Sequence, residues 1–564
     1  MDKRVFIAAG LSVLILVAWS YVFPPPKPAE RPVAPLPEQV EQIEQPAPQE
    51  PDVRPLPELD VPEEAAEPVQ AEQAREIVVD NGVFALTLTN RGGVATSWKL
   101  RDETTGYEPL ELLPAIDRNR ALTLGIELDD ASLTQVLNEA LYRVERLDVG
   151  GGERIELTWA DGRGVEARKR LTFHDGSYLV DLEVEVTDRG RRLPARLLLG
   201  PGFGEQDLVK KGTYYYEAVI WNASGEVTHR KKGKIDEEPD GLSGGIRWAG
   251  LEDQYFAAIV VPGEPETQIR WRSVELTVAT KGDEGEKEPD GYPILAVSVP
   301  QSGAQLFFGP KKYNLLESLG AELEKSVWFS SSAALAWISR GIFFGLLWIH
   351  DHTVQNYGLA IIACTFLLRV LLFPVNQYSM VSMKKTQLQM QRLQPKIKSI
   401  KNKFKKKDAE TRAKMNQEMM DLYKREGVNP MGGITGCLPL LAQMPILIAF
   451  YFMLTVAVEL RGAPFFGWIV DLSSPEPLFI KPLPLMMGAT MFLQQKMAMS
   501  KVKDPVQQQQ QKFMMIMPFV FTYICFQMPA GMVLYWFVNN VLGIGQQWLV
   551  NRHTIKLEAA AQKA

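Results

Sequence analysis

At 564 residues the chain is too long for one hydrophobic core and must divide into several units. Its net charge of −6 is segregated: residues 24–76 are acidic, 378–428 hold fourteen Lys/Arg against five Asp/Glu, and long uncharged apolar runs lie between and after them. Such runs indicate membrane helices, and the three cysteines, Cys364, Cys437 and Cys525, sit in or beside them with no metal or redox spacing.

Residues 1–23 carry Lys3 and Arg4, then the apolar run Val5–Phe23 ending in Trp19, Tyr21 and Phe23. The length and the aromatic end predict an uncleaved signal anchor with its N-terminus inside. Residues 24–75 are rich in Pro, Glu, Gln and Ala, too poor in large apolar residues to offset ordering entropy, and read as a disordered tether.

Over 76–325 the pattern becomes alternating: Val83–Thr89, Arg154–Trp159, Tyr178–Val186 and Gln268–Thr277, punctuated by Asp80-Asn81-Gly82 and Asp161-Gly162. Period-two runs joined by short turns predict a large antiparallel β-sandwich outside the cytoplasm. It shows no metal cluster or nucleophile motif, and His174 and His229 read as structural.

Residues 331–350 are apolar enough to rival a span. Crossing there would put the basic segment 378–428 outside, against the positive-inside rule. The run is therefore expected along the outer interface as an amphipathic helix, with Arg340 and His350 toward the polar side. A five-span core, 354–550, follows. The first span, Val354–Val375, runs inward and carries Arg369. The basic segment forms two cytoplasmic helices, Ser379–Lys403 and Asp408–Glu426, with apolar residues at helical spacing. The second span is Gly432–Val458, bent by Pro439 and Pro445. After the outer loop 459–481 come a third span, Pro482–Ala498, and an inner loop, 499–512. Phe513–Val550 is split by Met528-Pro529-Ala530-Gly531 into two spans. The tail, 551–564, lies inside. With the anchor this makes six spans, both termini cytoplasmic.

The five core spans contain no Asp or Glu. Arg369 therefore either snorkels to the headgroups or faces a water-filled cavity, because a buried charge without a partner costs several kcal/mol. Neutral polar residues on other spans, Gln443, Thr455, Gln494, Thr522, Asn539 and Asn540, serve either helix–helix bonding or such a cavity. A positive site open to the cytoplasm would attract carboxylates, and five helices build a groove open to lipid more readily than a sealed pore. An anion transporter is a rival reading, although no internal repeat is visible. So is a membrane-anchored module whose sandwich binds sugar.

The segment Pro439-Leu440-Leu441-Ala442-Gln443-Met444-Pro445 resembles the signature of the YidC/Oxa/Alb family of membrane protein insertases. So do Asn429-Pro430-Met431-Gly432-Gly433, Thr365-Phe366-Leu367-Leu368-Arg369, and Met528 through Trp536 with Asn539-Asn540; Ile434-Thr435-Gly436 lengthens the entry to the second core span. The likeness covers the whole chain in order and is to the Gram-negative form. It implies an insertase and chaperone of integral inner-membrane proteins, not an enzyme, acting alone or beside the Sec translocon. The sandwich would be of the supersandwich type found in sugar-processing proteins. Arg369 and Thr365, with Gln443, would line a hydrophilic groove. Met444, Tyr535 and Trp536 would lie on an apolar slide toward lipid. Partners would be nascent membrane proteins, Sec components and lipids, with no DNA.

No GxxxxGK[ST] motif occurs, so neither nucleotide nor any other cofactor or metal is expected. Lys396, Lys398, Lys401, Lys403, Lys405, Lys406 and Lys407, interleaved with Ile397, Ile400 and Phe404, read first as a topology determinant and secondly as a contact for a ribosome or anionic lipid.

Overall fold

The computed structural model describes residues 68–101, 109–114, 122–205, 216–265, 267–276, 290–330, 332–404, 409–426, 438–499 and 505–561. The anchor 1–23, nearly all of the tether, Lys405–Lys407, Cys437 and the expected start of the second core span lie outside the described residues.

Alternation sets the strands. Leu179–Asp188 buries Val180, Leu182, Val184 and Val186 while its charged residues face outward. The other expected runs appear as Phe84–Thr89, Gly152–Ala160 and Gln268–Leu276. The described residues hold nineteen strands in sheets of four, ten and five, and every paired neighbour is antiparallel. The first turn closes because Gly82 takes φ +90 and Asn81 accepts from the amides of Val83 and Phe84 at 3.3 and 3.1 Å. Stacked aromatics join the sheets: Trp98 on Phe308 at 3.8 Å and Trp221 on Trp271 at 4.7 Å. One short helix, α1 (Ala131–Glu139), is capped by Asp130, which accepts from Ser132 and Leu133.

Two lysines are buried in the sandwich. Lys169 donates to the carbonyls of Gly92, Gly93 and Leu124 at 2.7, 3.2 and 2.6 Å, and burial pulls its pKa down to about 7. Lys311 donates to Glu252 at 2.8 Å and to the carbonyl of Asp253 at 2.7 Å. Burial opposes its charge, but Glu252 more than restores it, so its pKa rises. His229 completes this network through Glu252 at 2.7 Å, and His174 pairs with Asp181 at 2.7 Å. Both histidines are tied to neighbouring carboxylates.

The helical region comprises α2 (Tyr313–Leu319), α3 (Ala333–His352), α4 (Tyr357–Leu371), α5 (Phe373–Lys403), α6 (Ala409–Arg425), α7 (Leu438–Val456), α8 (Pro482–Ala498), α9 (Pro505–Cys525) and α10 (Ala530–Ala561). It shares a core with the ten-stranded sheet: Ala218, Ile220, Trp248, Ile259 and Phe307 pack in the same cluster as Phe343, Leu346, Phe450 and Tyr535. On α3, Ser339, Ile342, Phe343, Leu346 and Ile349 are buried. Ser339 donates to the carbonyl of Ala449 on α7 at 2.9 Å. The opposite side shows Trp337, Phe344 and Trp348, with Arg340 exposed and His350 half-buried.

By length and composition α3 is long and apolar enough to cross a membrane, and so is α4 taken with the first part of α5; Met444–Val456 and Gln511–Cys525 are shorter apolar stretches. Three boundaries differ from the sequence reading. The first core span is not straight: α4 stops at Leu371 and α5 leaves at 59°. Pro374 falls in the first turn of α5, where its missing N–H is harmless. The expected inner loop is helical from Pro505, because the glutamine run that follows favours helix. The tail continues α10 as far as Ala561.

The basic segment contains α5, which begins six residues before the expected Ser379, and α6. Leu393 and Ile397 of α5 pack against Met419, Leu422 and Tyr423 of α6. Lys396 reaches Glu426 at 2.5 Å and Lys403 reaches Glu418 at 2.8 Å, while Lys398 is exposed.

Candidate functional site

The site is built around Arg369, half-buried near the end of α4. Two arrangements fix that helix. At its start Asn356 caps the helix by accepting from Leu359 at 3.0 Å, and donates to the carbonyls of Pro464 and Phe465 at 3.2 and 3.4 Å. Gly358 lies flat against Phe465, leaving no room for a side chain. One turn before Arg369, Thr365 is buried and donates back to the carbonyl of Ile361 at 2.6 Å.

Arg369 points at the seam between α8 and α10. A methyl group added at Gly543 of α10 would lie 2.6 Å from the arginine Nη2 and would also collide with the amide of Gln494 on α8. Three helices thus bring a guanidinium, a primary amide and a bare backbone together. The arginine Nε is buried without a hydrogen-bond partner, and among the described residues no carboxylate forms an ion pair with Arg369. On the hairpin side of Arg369, Asn376, Ser379, Gln546 and Gln547 are all buried. Gln546 donates to Gln377 at 3.4 Å and Gln547 to Asn551 at 3.1 Å.

The candidate residues divide. Arg369 and Gln494 converge. Thr455 and Thr522 donate to carbonyls of their own helices, at 2.9 and 2.7 Å, whereas Asn540 donates to the carbonyl of Met487 on α8 at 3.4 Å and so binds helix to helix. Gln443 lies on α7, outside the residues whose side chains are described. Met444 is exposed. Tyr535 is buried and stacks on Phe450 at 4.0 Å; Trp536 is buried against Phe521 at 4.7 Å. Asn376 and Gln377 escaped the sequence reading because they follow its end of the first core span at Val375, and Gln546 and Gln547 because they fall in the last turns of its fifth span. The spacing of Gln546 and Gln547 three and four residues after Gly543 places them on its helix face and was the available signal.

The opposite end is sealed by the segment between α7 and α8. Asp471 accepts from the amides of Gly462 and Ser473 and from the hydroxyls of Ser473 and Ser474, between 2.6 and 3.0 Å. Buried Glu476 accepts from Trp468 at 2.7 Å and from the first-turn amide of Leu483 in α8 at 3.1 Å. Lys481 donates to the carbonyl of Phe526, just past α9, at 2.5 Å. The carbonyls of Leu472 and Ser474 receive the first amides of α10 at 2.8 and 2.9 Å. Arg461 ties the segment to the sandwich through Glu205 at 2.8 Å; burial opposes the charge on Arg461 and Glu205 more than restores it. Beside it Glu459 has a carboxylate oxygen without a partner, and burial pushes its pKa up to about 7.

Residues 76–344 match the family model described as the YidC periplasmic domain, and residues 348–558 match that described as 60Kd inner membrane protein. The chain is 34% identical to the membrane protein insertase YidC of Geotalea daltonii, over 98% of this chain and 99% of that one. It is 32% identical to the protein of the same name from Syntrophus aciditrophicus, over 98% and 100%. Among solved structures, an active YidC insertase with its first transmembrane domain resolved aligns with a TM-score of 0.34 and 16% identity, covering 86% of this chain and 95% of that one. Near-complete coverage at this identity, with both halves matched in order, establishes that the chain belongs to the YidC family of membrane protein insertases.

Proposed function

We propose that this insertase works through a polar groove in which Arg369 receives the hydrophilic flank of an incoming segment. The family makes the chain an inner-membrane insertase with a periplasmic domain. The finer reading has six spans, both termini cytoplasmic, an anchor at 1–23, the periplasmic sandwich at 76–325, α3 on the outer interface and the core at 354–550. The observation that carries it is the convergence of Arg369, Gln494 and Gly543 from three helices, with no ion-pair partner for the arginine among the described residues.

A groove open to the cytoplasm shortens the hydrocarbon that polar groups must cross. Arg369 pairs transiently with acidic residues of the flank. Thr365 lines the same wall, and the family resemblance adds Gln443, whose side chain lies outside the described residues, as a contributor. The substrate helix then moves to lipid past Met444, with Tyr535 and Trp536 as the rigid wall behind it. Burial of apolar side chains, about 1.5–3 kcal/mol each, drives the transfer, so insertion into proteoliposomes proceeds without nucleotide. The insertase acts alone or beside the Sec translocon and also serves as a chaperone. The exposed Lys398 and the lysines around the hairpin tip attract a ribosome or anionic headgroups.

Arg369→Ala should abolish insertion of substrates with acidic translocated tails in reconstituted vesicles. Arg369→Lys, which keeps the charge but loses the two-pronged fork, should be much milder. Unchanged insertion by Arg369→Ala would remove the arginine from the mechanism.

A further inference from the structure

The segment between α7 and α8 has its polarity reversed. Over residues 461–481 the charged side chains turn inward: Arg461 to Glu205, Asp471 to amides and hydroxyls of its own loop, Glu476 to Trp468 and Leu483, Lys481 to the carbonyl of Phe526. The hydroxyls of Ser473 and Ser474 are likewise turned onto Asp471. The side chains that face out are apolar: Phe466, Trp468, Val470, Leu478, Phe479 and Ile480. The other exposed positions are Pro464, Gly467 and Pro477, so no charged or hydroxyl-bearing residue of this segment is among the exposed ones. Phe479 is 99% exposed and Phe466 78%. A loop surrounded by water is arranged the other way, with its polar groups outermost. Trp468 repeats the pattern within one residue: Glu476 takes its indole N–H at 2.7 Å, while its ring stays exposed.

The apolar ridge continues onto the exposed faces of three helices. Phe465, next to Phe466, packs on Gly358 at the start of α4, where Leu359 is exposed. Ile480 leads through Lys481 into α8, whose Leu485 and Met486 are exposed. Lys481 is tied to the end of α9, where Tyr523 and Ile524 are exposed. A single partner helix would cover one of these faces, whereas lipid bathes them all. We propose that this segment is a membrane-immersed ridge whose occupant is phospholipid of the outer leaflet, with Phe466, Phe479 and Ile480 among the acyl chains. The backbone sets the depth. Phe465 donates to Ile469 and Leu472 to Ala463, both at 3.0 Å, but Leu478, Phe479 and Ile480 make no backbone hydrogen bond among the described residues. Their backbone therefore stays at the headgroup boundary, where water reaches it, while their side chains point into hydrocarbon. The seal over the outer end of the core is thus anchored in the bilayer and does not stand clear of it. This goes beyond the groove reading and is independent of Arg369.

The test uses the full chain, with Cys364, Cys437 and Cys525 replaced by alanine, in vesicles of phosphatidylethanolamine and phosphatidylglycerol. A nitroxide label is attached through Phe466→Cys, through Phe479→Cys and, as a control on the sandwich, through Leu147→Cys, an exposed position on a strand far in sequence from the core. The labels at 466 and 479 should collide more often with dissolved oxygen, which concentrates in hydrocarbon, than with a water-soluble nickel chelate. The order should be reversed at 147. Chelate collisions at 466 and 479 as frequent as at 147 would overturn the immersed ridge. So would labels open to the chelate in these vesicles and shielded from it only in native membranes, because that result identifies a protein partner in place of lipid. Insertion of an acidic-tailed substrate by Arg369→Ala reads the groove separately, so either reading can fail while the other stands.

Discussion

Gly543 has no side chain, and the site depends on that. The arginine Nη2 and the Gln494 amide occupy the space that a Cβ would fill, so any larger residue must push the guanidinium off the seam. Gly543→Leu should therefore reproduce the insertion defect of Arg369→Ala although Arg369 is still present. Overpacking the seam should cost about 1–3 kcal/mol, offset in part by the roughly 0.5–1 kcal/mol of helix propensity gained at a helix-interior glycine, so the variant should fold with a modestly lowered melting temperature. Insertion rate and melting temperature measured on the same preparation check both halves. Lys311 and Glu252 show the opposite use of a buried charge: paired at 2.8 Å and wholly enclosed, they serve the sandwich core. Arg369 has no such carboxylate among the described residues, and that contrast is what the proposed role of the arginine rests on.

At the scale of elements, the segment between α7 and α8 holds the outer ends of several helices through a few carboxylates and carbonyls. Glu476 joins two elements at once, capping α8 and fixing Trp468. Glu476→Ala should cost about 1–3 kcal/mol by leaving these donors unpaired. The loss should appear as faster hydrogen exchange at the start of α8, with the sandwich strands unchanged. The strands were legible because alternation is local, and so was the division between α9 and α10, because Pro529 and Gly531 mark it. The bend at Leu372 was not, since Pro374 reads equally well as the end of a span. Arg369 was conspicuous as the one charge in an apolar run. Its neighbours were not, because the meeting of Gln494 with Gly543 depends on how α8 and α10 pack, which neither segment encodes alone.

Across the whole molecule two groups outside the spans make stability pH-dependent in opposite senses. Glu459 faces Lys312, Asp351 and Tyr357 from the adjoining elements, and burial raises its pKa from 4.5 to about 7. Within that window the folded protein keeps a proton that the unfolded chain has released, so stability falls as pH rises. Lys169 faces backbone carbonyls and the Tyr142 ring, and burial lowers its pKa from 10.5 to about 7. Between those values the unfolded chain holds the extra proton, so stability rises with pH. Hydrogen exchange between pH 5 and 9 should show the outer end of α7 loosening up to neutrality and the sandwich tightening above it. Glu459→Gln should flatten the first trend only, and Lys169→Met the second.

The bend after Leu371 has a mechanical consequence. Only Leu372 separates α4 from the 31-residue α5, an arm about 45 Å long at the usual helical rise. Turning that arm by a tenth of a radian would carry the hairpin tip through roughly 4–5 Å at this length, while Asn376, close to the pivot, would hardly shift. Whatever tugs on the tip thus holds a long handle on a short jaw, and displacement at the far end of α5 is geared down to a fine adjustment where Arg369 sits.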